Sequence, residues 1–208
     1  MQTALANIHD TYRQRCDNPD QQKSAWRKLI APTFPPDLGT WPEDRPSLLI
    51  ARDAGDLGCA MLWIVQAALV RPYLALIKKQ AGLLPEQSVL LESISDIDCG
   101  ALAHSEPRDE PVIITDDDTG LLLNGVKKYI TGGHQADFIL TTARAPEDEK
   151  TSHLLLLPIS DIDLCKEMIA LDLKSLYTIS HGRLTLKKKA IPGHYRMPLS
   201  PSLVRKTL

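Results

Sequence analysis

Paired cysteines, charge of one sign and long apolar runs are all scarce in this sequence, and each shortage excludes something. The four cysteines, at positions 16, 59, 99 and 165, lie far apart and form no CxxC pair. That argues against a zinc site and against a disulfide framework. The six histidines (9, 104, 134, 153, 181 and 194) show no HxxxH or HExxH spacing, so no metal ligand is assigned. No apolar stretch reaches the ~20 residues that a bilayer span requires. Cys59–Leu76 comes nearest, and Gln66 and Arg71-Pro72 interrupt it, so no membrane is expected. The chain carries 24 basic and 26 acidic residues, intermixed, for a net charge of −2. No electrostatic case therefore exists for nucleic acid. The opening MQTALANIHDTYRQRCD lacks the charged-then-apolar order of a signal peptide, and a cytoplasmic location is expected. A glycine-rich P-loop, a Gly-x-Ser-x-Gly elbow and a Cys/His pair are likewise missing. Asp116-Asp117-Asp118 has no EF-hand ligand pattern around it and reads as a turn.

What remains is an ordinary globular composition, with 43% apolar and 24% charged residues in 208, enough for one large or two small cores. The first half reads as helical. Leu5, Ile8 and Tyr12 recur at helical spacing, and Asn18-Pro19-Asp20 separates them from a second helix carrying Ala25, Trp26, Leu29 and Ile30. Five prolines between Pro32 and Pro46 predict an extended connector, with Trp41 as a packing anchor. Cys59–Leu76 predicts a buried helix or helix pair broken near Arg71-Pro72, and Lys78-Lys79 and Gly82 close it. Leu83–Ile94 predicts a further helix, with Pro85-Glu86 in its first turn.

The apolar rhythm changes at Cys99. Ala101–Ser105, Val112–Thr115, Leu121–Leu123, Val126–Thr131, Phe138–Ala143, His153–Leu157, Leu164–Ile169 and Gly182–Ile191 are strand-sized runs between turns. The acidic turn Asp116–Gly120 separates two of them, and Asn124-Gly125 is the dipeptide that most favours a tight hairpin. The expected fold class is α+β, an N-terminal all-α domain over 1–97 followed by an antiparallel β-barrel or sandwich over 98–195. Residues 196–208 are expected to form a tail.

Two stretches also carry a resemblance. Ser105-Glu106-Pro107 resembles the Thr/Ser-Glu-Pro signature of the acyl-CoA dehydrogenase family. About twenty residues on, Leu123-Asn124-Gly125-Val126-Lys127-Lys128-Tyr129-Ile130-Thr131-Gly132-Gly133, with Ala136-Asp137, is similar to its Leu-Asn-Gly-x-Lys-x-Trp/Tyr-Ile-Thr-x-Gly…Ala-Asp pattern. Leu171-Asp172-Leu173-Lys174 and Gly182–Ile191 before Pro192 resemble the close of that family's middle domain.

The resemblance implies FAD as cofactor, an acyl-CoA or similar thioester as substrate, oxidoreductase chemistry on CH–CH groups and a place in fatty acid metabolism. It implies a flavin face built from Leu102, His104 and Ser105 on one strand and Tyr129, Ile130 and Thr131 on another. Ser105 would donate near N1/O2, Tyr129 would cover a ring face and Thr131 would donate to N5. Residue chemistry alone leaves a second reading open, in which these are interior and edge residues of a β-domain. Where the family has Gly-x-Gly-Ser-Asp after Glu-Pro, this chain has Arg108-Asp109-Glu110-Pro111-Val112. Proline removes a donor, and two carboxylates stand where a phosphate nest is expected. The family's catalytic glutamate lies on a C-terminal helical bundle that has no counterpart here, so no catalytic residue is assigned. A truncated, acyl-CoA dehydrogenase-like flavoprotein is therefore expected, inactive alone. It would assemble as a homodimer or with a subunit that supplies a helical bundle and the base. The alternative is a non-catalytic binding or assembly module that keeps the fold.

Overall fold

The computed structural model describes residues 23, 24, 27, 57–118, 120–171 and 180–198. The two helices expected before residue 31, the proline-rich connector with Trp41, Asp172-Leu173-Lys174 and the terminal residues from 199 lie outside the described residues.

Helix α1 (Leu57–Val65) runs through a π-helical turn (Gln66–Val70) directly into α2 (Arg71–Lys78). The interruption falls where Arg71-Pro72 predicts it. Pro72 lacks the N–H that an α-helix would use, and a wider turn before it absorbs the misfit. By length and composition Met61–Lys78 suffices to cross a membrane, yet half of it is buried within the fold. Helix α3 (Pro85–Ser93) starts on Pro85. The Gln87 side chain accepts from the Leu84 N–H at 2.8 Å and donates to the Arg196 carbonyl at 2.7 Å, tying this helix to the last strand.

Among the described residues eight strands follow: β1 (Gly100–Ala103), β2 (Ile113–Asp117), β3 (Gly120–Thr131), β4 (Phe138–Ala145), β5 (Asp148–Pro158), β6 (Met168–Ala170), β7 (His181–Ile191) and β8 (Arg196–Met197). A one-turn helix α4 (Ile159–Ile162) leads towards β6. One sheet holds all eight in the order β6-β7-β3-β2-β4-β5-β8, with β1 also on β4. β8 lies within the stretch expected as a tail, pairing Leu154 with Met197 and Leu155 with Arg196.

The sheet is mixed, which corrects the expected all-antiparallel arrangement. β1 pairs with Phe138–Thr141 and β2 with Arg144, both parallel to β4. β1 and β2 are thus one strand interrupted by residues 104–112. The reason lies in the path: β3 returns antiparallel from β2, and the turn after Thr131 carries β4 to the far edge of β1 and β2. Such inner strands are covered on both faces. Ala101, Ala103, Ile139, Leu140 and all four leucines 154–157 are buried accordingly.

A second correction concerns Asn124-Gly125. The hairpin turns at the acidic segment, where Asp117 pairs with Gly120, and β3 then runs unbroken to Thr131. Asn124-Gly125 instead makes a bulge, with a register shift against β7 between Leu123 and Gly125. Gly125 has φ +138°, and a side chain there would run into the Pro111 carbonyl and the Val112 backbone.

Helices and sheet meet at Gln66. Its side chain accepts from the Gly100 N–H at 3.1 Å and donates to the Gly100 carbonyl, acting as a one-residue strand on the free edge of β1. Gly100 is required at that contact, since a Cβ would overlap Phe138 and Val70.

Candidate functional site

The two motif stretches lie side by side. The Lys128 N–H donates to the Ser105 carbonyl at 2.8 Å, and the Val126 N–H donates to the Glu110 carbonyl at 3.1 Å. The 104–112 interruption is thereby laced to β3. Beneath this seam sits a charge cluster that joins Glu-Pro to the Asn-Gly-x-Lys motif. Lys127 is fully buried and donates to Glu106 Oε2 at 2.8 Å and to Thr142 Oγ1 at 3.3 Å. Arg144 donates to Glu106 Oε1 at 2.5 Å, and the Val112 N–H to Glu106 Oε2 at 3.3 Å. Burial pushes the Glu106 carboxyl up. The hydrogen bond and charge of Lys127, the Val112 N–H and the Arg144 charge together outweigh it and hold the carboxyl below the usual glutamate value. Burial draws the Lys127 ammonium down, against the pull of Glu106.

Glu106 is therefore an anchor, with both oxygens spent on cations, and is not available as a base. Sequence reasoning quoted Glu106 and Lys127 as motif letters without pairing them. The available signal was a lysine among apolar strand residues and a carboxylate that could neutralise it. Arg144, in the strand next to both, carried no signal of its own.

The six residues expected at a site divide into three environments. Ser105 is exposed, and Tyr129 is 60% exposed with φ +58°. A left-handed tyrosine is strained by about 1–2 kcal/mol, and it lies within the second register shift of β3, between Lys127 and Ile130. That shift sends Tyr129 outward while Lys127 and Ile130 both stay inside. Leu102 packs against the core, and Ile130 belongs to it. His104 faces the helices and β4, with Nε2 3.2 Å from the Tyr73 hydroxyl and Nδ1 3.5 Å from Thr142 Oγ1. Thr131 is buried, its hydroxyl 3.4 Å from His181 Nδ1. The Ser105–Lys128 hydrogen bond thus sets Ser105 beside the Tyr129 segment on the surface, and Thr131 follows two residues on, buried.

A separate cavity of about 470 Å³ lies between α3 and the ends of β4 and β5, lined by Leu90, His134, Phe138, Ile159 and Asp161 among others. None of the six residues lines it. Among the described residues, no group of three or more His, Cys, Asp or Glu side chains is placed to hold a metal.

No protein-family model and no curated protein sequence matches the chain. Solved structures match its fold. Butyryl-CoA dehydrogenase from Megasphaera elsdenii aligns with a TM-score of 0.67 at 16% identity, covering 98% of this chain and 59% of that one. The FAD complex of PigA aligns at 0.66 and 14%, covering 99% and 59%. KijD3 in complex with dTDP aligns at 0.68 and 17%, covering 96% and 54%. The fold is that of the acyl-CoA dehydrogenases. At these identities the likeness is one of fold, and the chain spans 54–59% of the length of these three structures.

Within this acyl-CoA dehydrogenase-like fold the 107–111 loop has a character of its own. Arg108, Asp109 and Glu110 are exposed, and the Glu110 N–H turns back to the Pro107 carbonyl at 3.4 Å. The Glu110 carboxylate takes Arg183 as partner at 3.3 Å. Pro111 offers no N–H. Two carboxylates and a proline make a poor nest for an anion.

Proposed function

We propose that this chain supplies the β-domain face of a flavin site of the acyl-CoA dehydrogenase kind, for FAD-dependent oxidation of a CH–CH bond in an acyl-CoA or related thioester. The observation that carries the reading is the 2.8 Å bond from the Lys128 N–H to the Ser105 carbonyl. It sets an exposed serine beside a strand segment whose tyrosine is held outward in a left-handed conformation. Strain of this kind persists where surrounding structure enforces it, and it gathers at ligand-binding positions.

The residues fit the isoalloxazine end of FAD and not its pyrophosphate end. Ser105 and Thr131 would donate to the ring edge and Tyr129 would cover a ring face. Leu102, His104 and Ile130 would support the two strands from within. A bound flavin would supply hydride acceptance, and donors aimed at its ring would stabilise the reduced form. Asp109 and Glu110 present negative charge to a phosphate, the Glu110 N–H is turned to the Pro107 carbonyl and Pro111 has no N–H, so contacts to the pyrophosphate would come from residues outside this loop. The base that removes the substrate α-proton would likewise come from a helical bundle or a partner subunit, because Glu106 is pinned between Lys127 and Arg144.

Equilibrium dialysis of the purified chain against FAD tests the reading. Retained absorbance in the flavin bands, lost in Tyr129→Ala, is the expected result. A colourless protein at tens of micromolar FAD would leave only the fold in common with these enzymes.

A further inference from the structure

His181 opens β7 directly opposite Thr131 at the end of β3, and the two form a cross-strand pair. Its Nδ1 lies 3.4 Å from Thr131 Oγ1. His181 is 3% exposed, and its Nε2 is buried with no hydrogen-bond partner among the described residues. A neutral imidazole carries one N–H, so two arrangements compete. With the proton on Nε2, a buried N–H would be orphaned, which folded proteins largely avoid. With the proton on Nδ1, it is given to Thr131, and Nε2 keeps only a lone pair. The second arrangement costs less.

It has a consequence for Thr131. A hydroxyl that accepts from His181 still holds its own proton, and among the described residues no other side chain is placed to take it. The surroundings support the same direction. Gly132 donates its N–H to the Ser180 carbonyl at 2.7 Å, and the Ser180 hydroxyl donates to Gln135 Oε1 at 3.3 Å. These bonds lock the turn after Thr131 to the start of β7, so the His181–Thr131 pair sits on fixed backbone.

We propose that His181 is a positioning residue: its Nδ1–H donates to Thr131 Oγ1 and leaves the threonine hydroxyl as an obligate donor to the flavin ring edge. The inference rests on the flavin reading above, with a part that stands apart from it, the tautomer of His181.

The test has two arms on the full chain. Long-range ¹H–¹⁵N correlation of the ligand-free protein assigns the His181 tautomer. The Nδ1–H form is expected, and the Nε2–H form overturns the proposal. In the second arm, flavin is titrated into wild type, His181→Leu and His181→Asn, reading fluorescence quenching and the position of the visible bands. Cooperative unfolding is the control for folding. Asparagine places an amide N–H near the Nδ1 position, so it should keep the wild-type spectrum and affinity. Leucine should weaken binding about five- to tenfold, the worth of one hydrogen bond, and shift the bands. Flavin binding that is unchanged in His181→Leu overturns the proposal. If that variant does not fold, a shifted spectrum in His181→Asn overturns it instead. A wild-type chain with the Nδ1–H tautomer that takes up no flavin overturns the flavin reading, and the proposed donor role with it.

Discussion

Glu106→Gln is the perturbation whose cost the structure bounds best. The substitution keeps the shape of the side chain and removes its charge. Lys127, fully buried, would then hold its ammonium against a neutral amide and Thr142, with the Arg144 guanidinium close by. Removing one partner of a buried ion pair costs about 3–5 kcal/mol, most of it the uncompensated charge left behind. Lys127→Met should cost less, about 1–2 kcal/mol, because Glu106 keeps Arg144 and the Val112 N–H. The double variant should recover part of the first loss, giving a coupling of about 1–3 kcal/mol in a double-mutant cycle. Urea unfolding at neutral pH measures all three.

Acid gives the sign. The acid limb is read through Glu106. Its folded value is lowered. Its contribution is therefore complete above the ordinary glutamate value of about 4.3. It is lost as pH falls through the folded value. Glu106→Gln should flatten that part of the acid limb. A single variant within about 0.5 kcal/mol of wild type, the range of an ordinary surface substitution, would refute the reasoning.

Three further outcomes are expected. Tyr129→Gly should raise stability by about 1 kcal/mol through relief of the left-handed backbone, read as a higher urea midpoint at unchanged slope; a clear loss would mean that the tyrosine packs more than its exposure indicates. Gln66→Leu should cost about 2 kcal/mol, since it strips the Gly100 N–H and carbonyl of their buried partner; an unchanged midpoint would dismiss Gln66 as the helix–sheet tie. Cys99 is fully buried, and burial together with Asp137 pushes its thiol well up, so peptide mapping should find it unmodified by a thiol reagent until the chain unfolds, and rapid labelling in the native state would contradict the packing around β1.

Local chemistry made much of the fold legible. Pro85 marked a helix start, Arg71-Pro72 a helix interruption and Asp116–Gly120 a hairpin, each through effects confined to a few neighbouring residues. Asn124-Gly125 misled because a dipeptide that tolerates positive φ serves a bulge as well as a turn. The choice was made by Pro111 and Val112, whose backbone approaches Gly125 from the 104–112 interruption. The parallel pairing of β1 and β2 with β4 was hidden for a similar reason, since strand order depends on which buried faces meet across the sheet and not on strand spacing. At the candidate site, the two motifs named Ser105 and Tyr129, and the structure lays those stretches side by side. The partners that fix their surroundings lie far off in the chain: Arg144 is 38 residues from Glu106, and His181 is 50 from Thr131. Nothing local in the sequence announces such pairs.

Backbone amide mapping during a flavin titration tests the central claim most directly. With FAD added to the ¹⁵N-labelled chain, the largest shifts are predicted at Ser105 and Lys128–Thr131, with weaker ones along β1 and small ones at Asp109 and Glu110. Shifts centred on the cavity at Leu90, Phe138 and Asp161, or none at all, would contradict the assignment of a flavin face to these two strands.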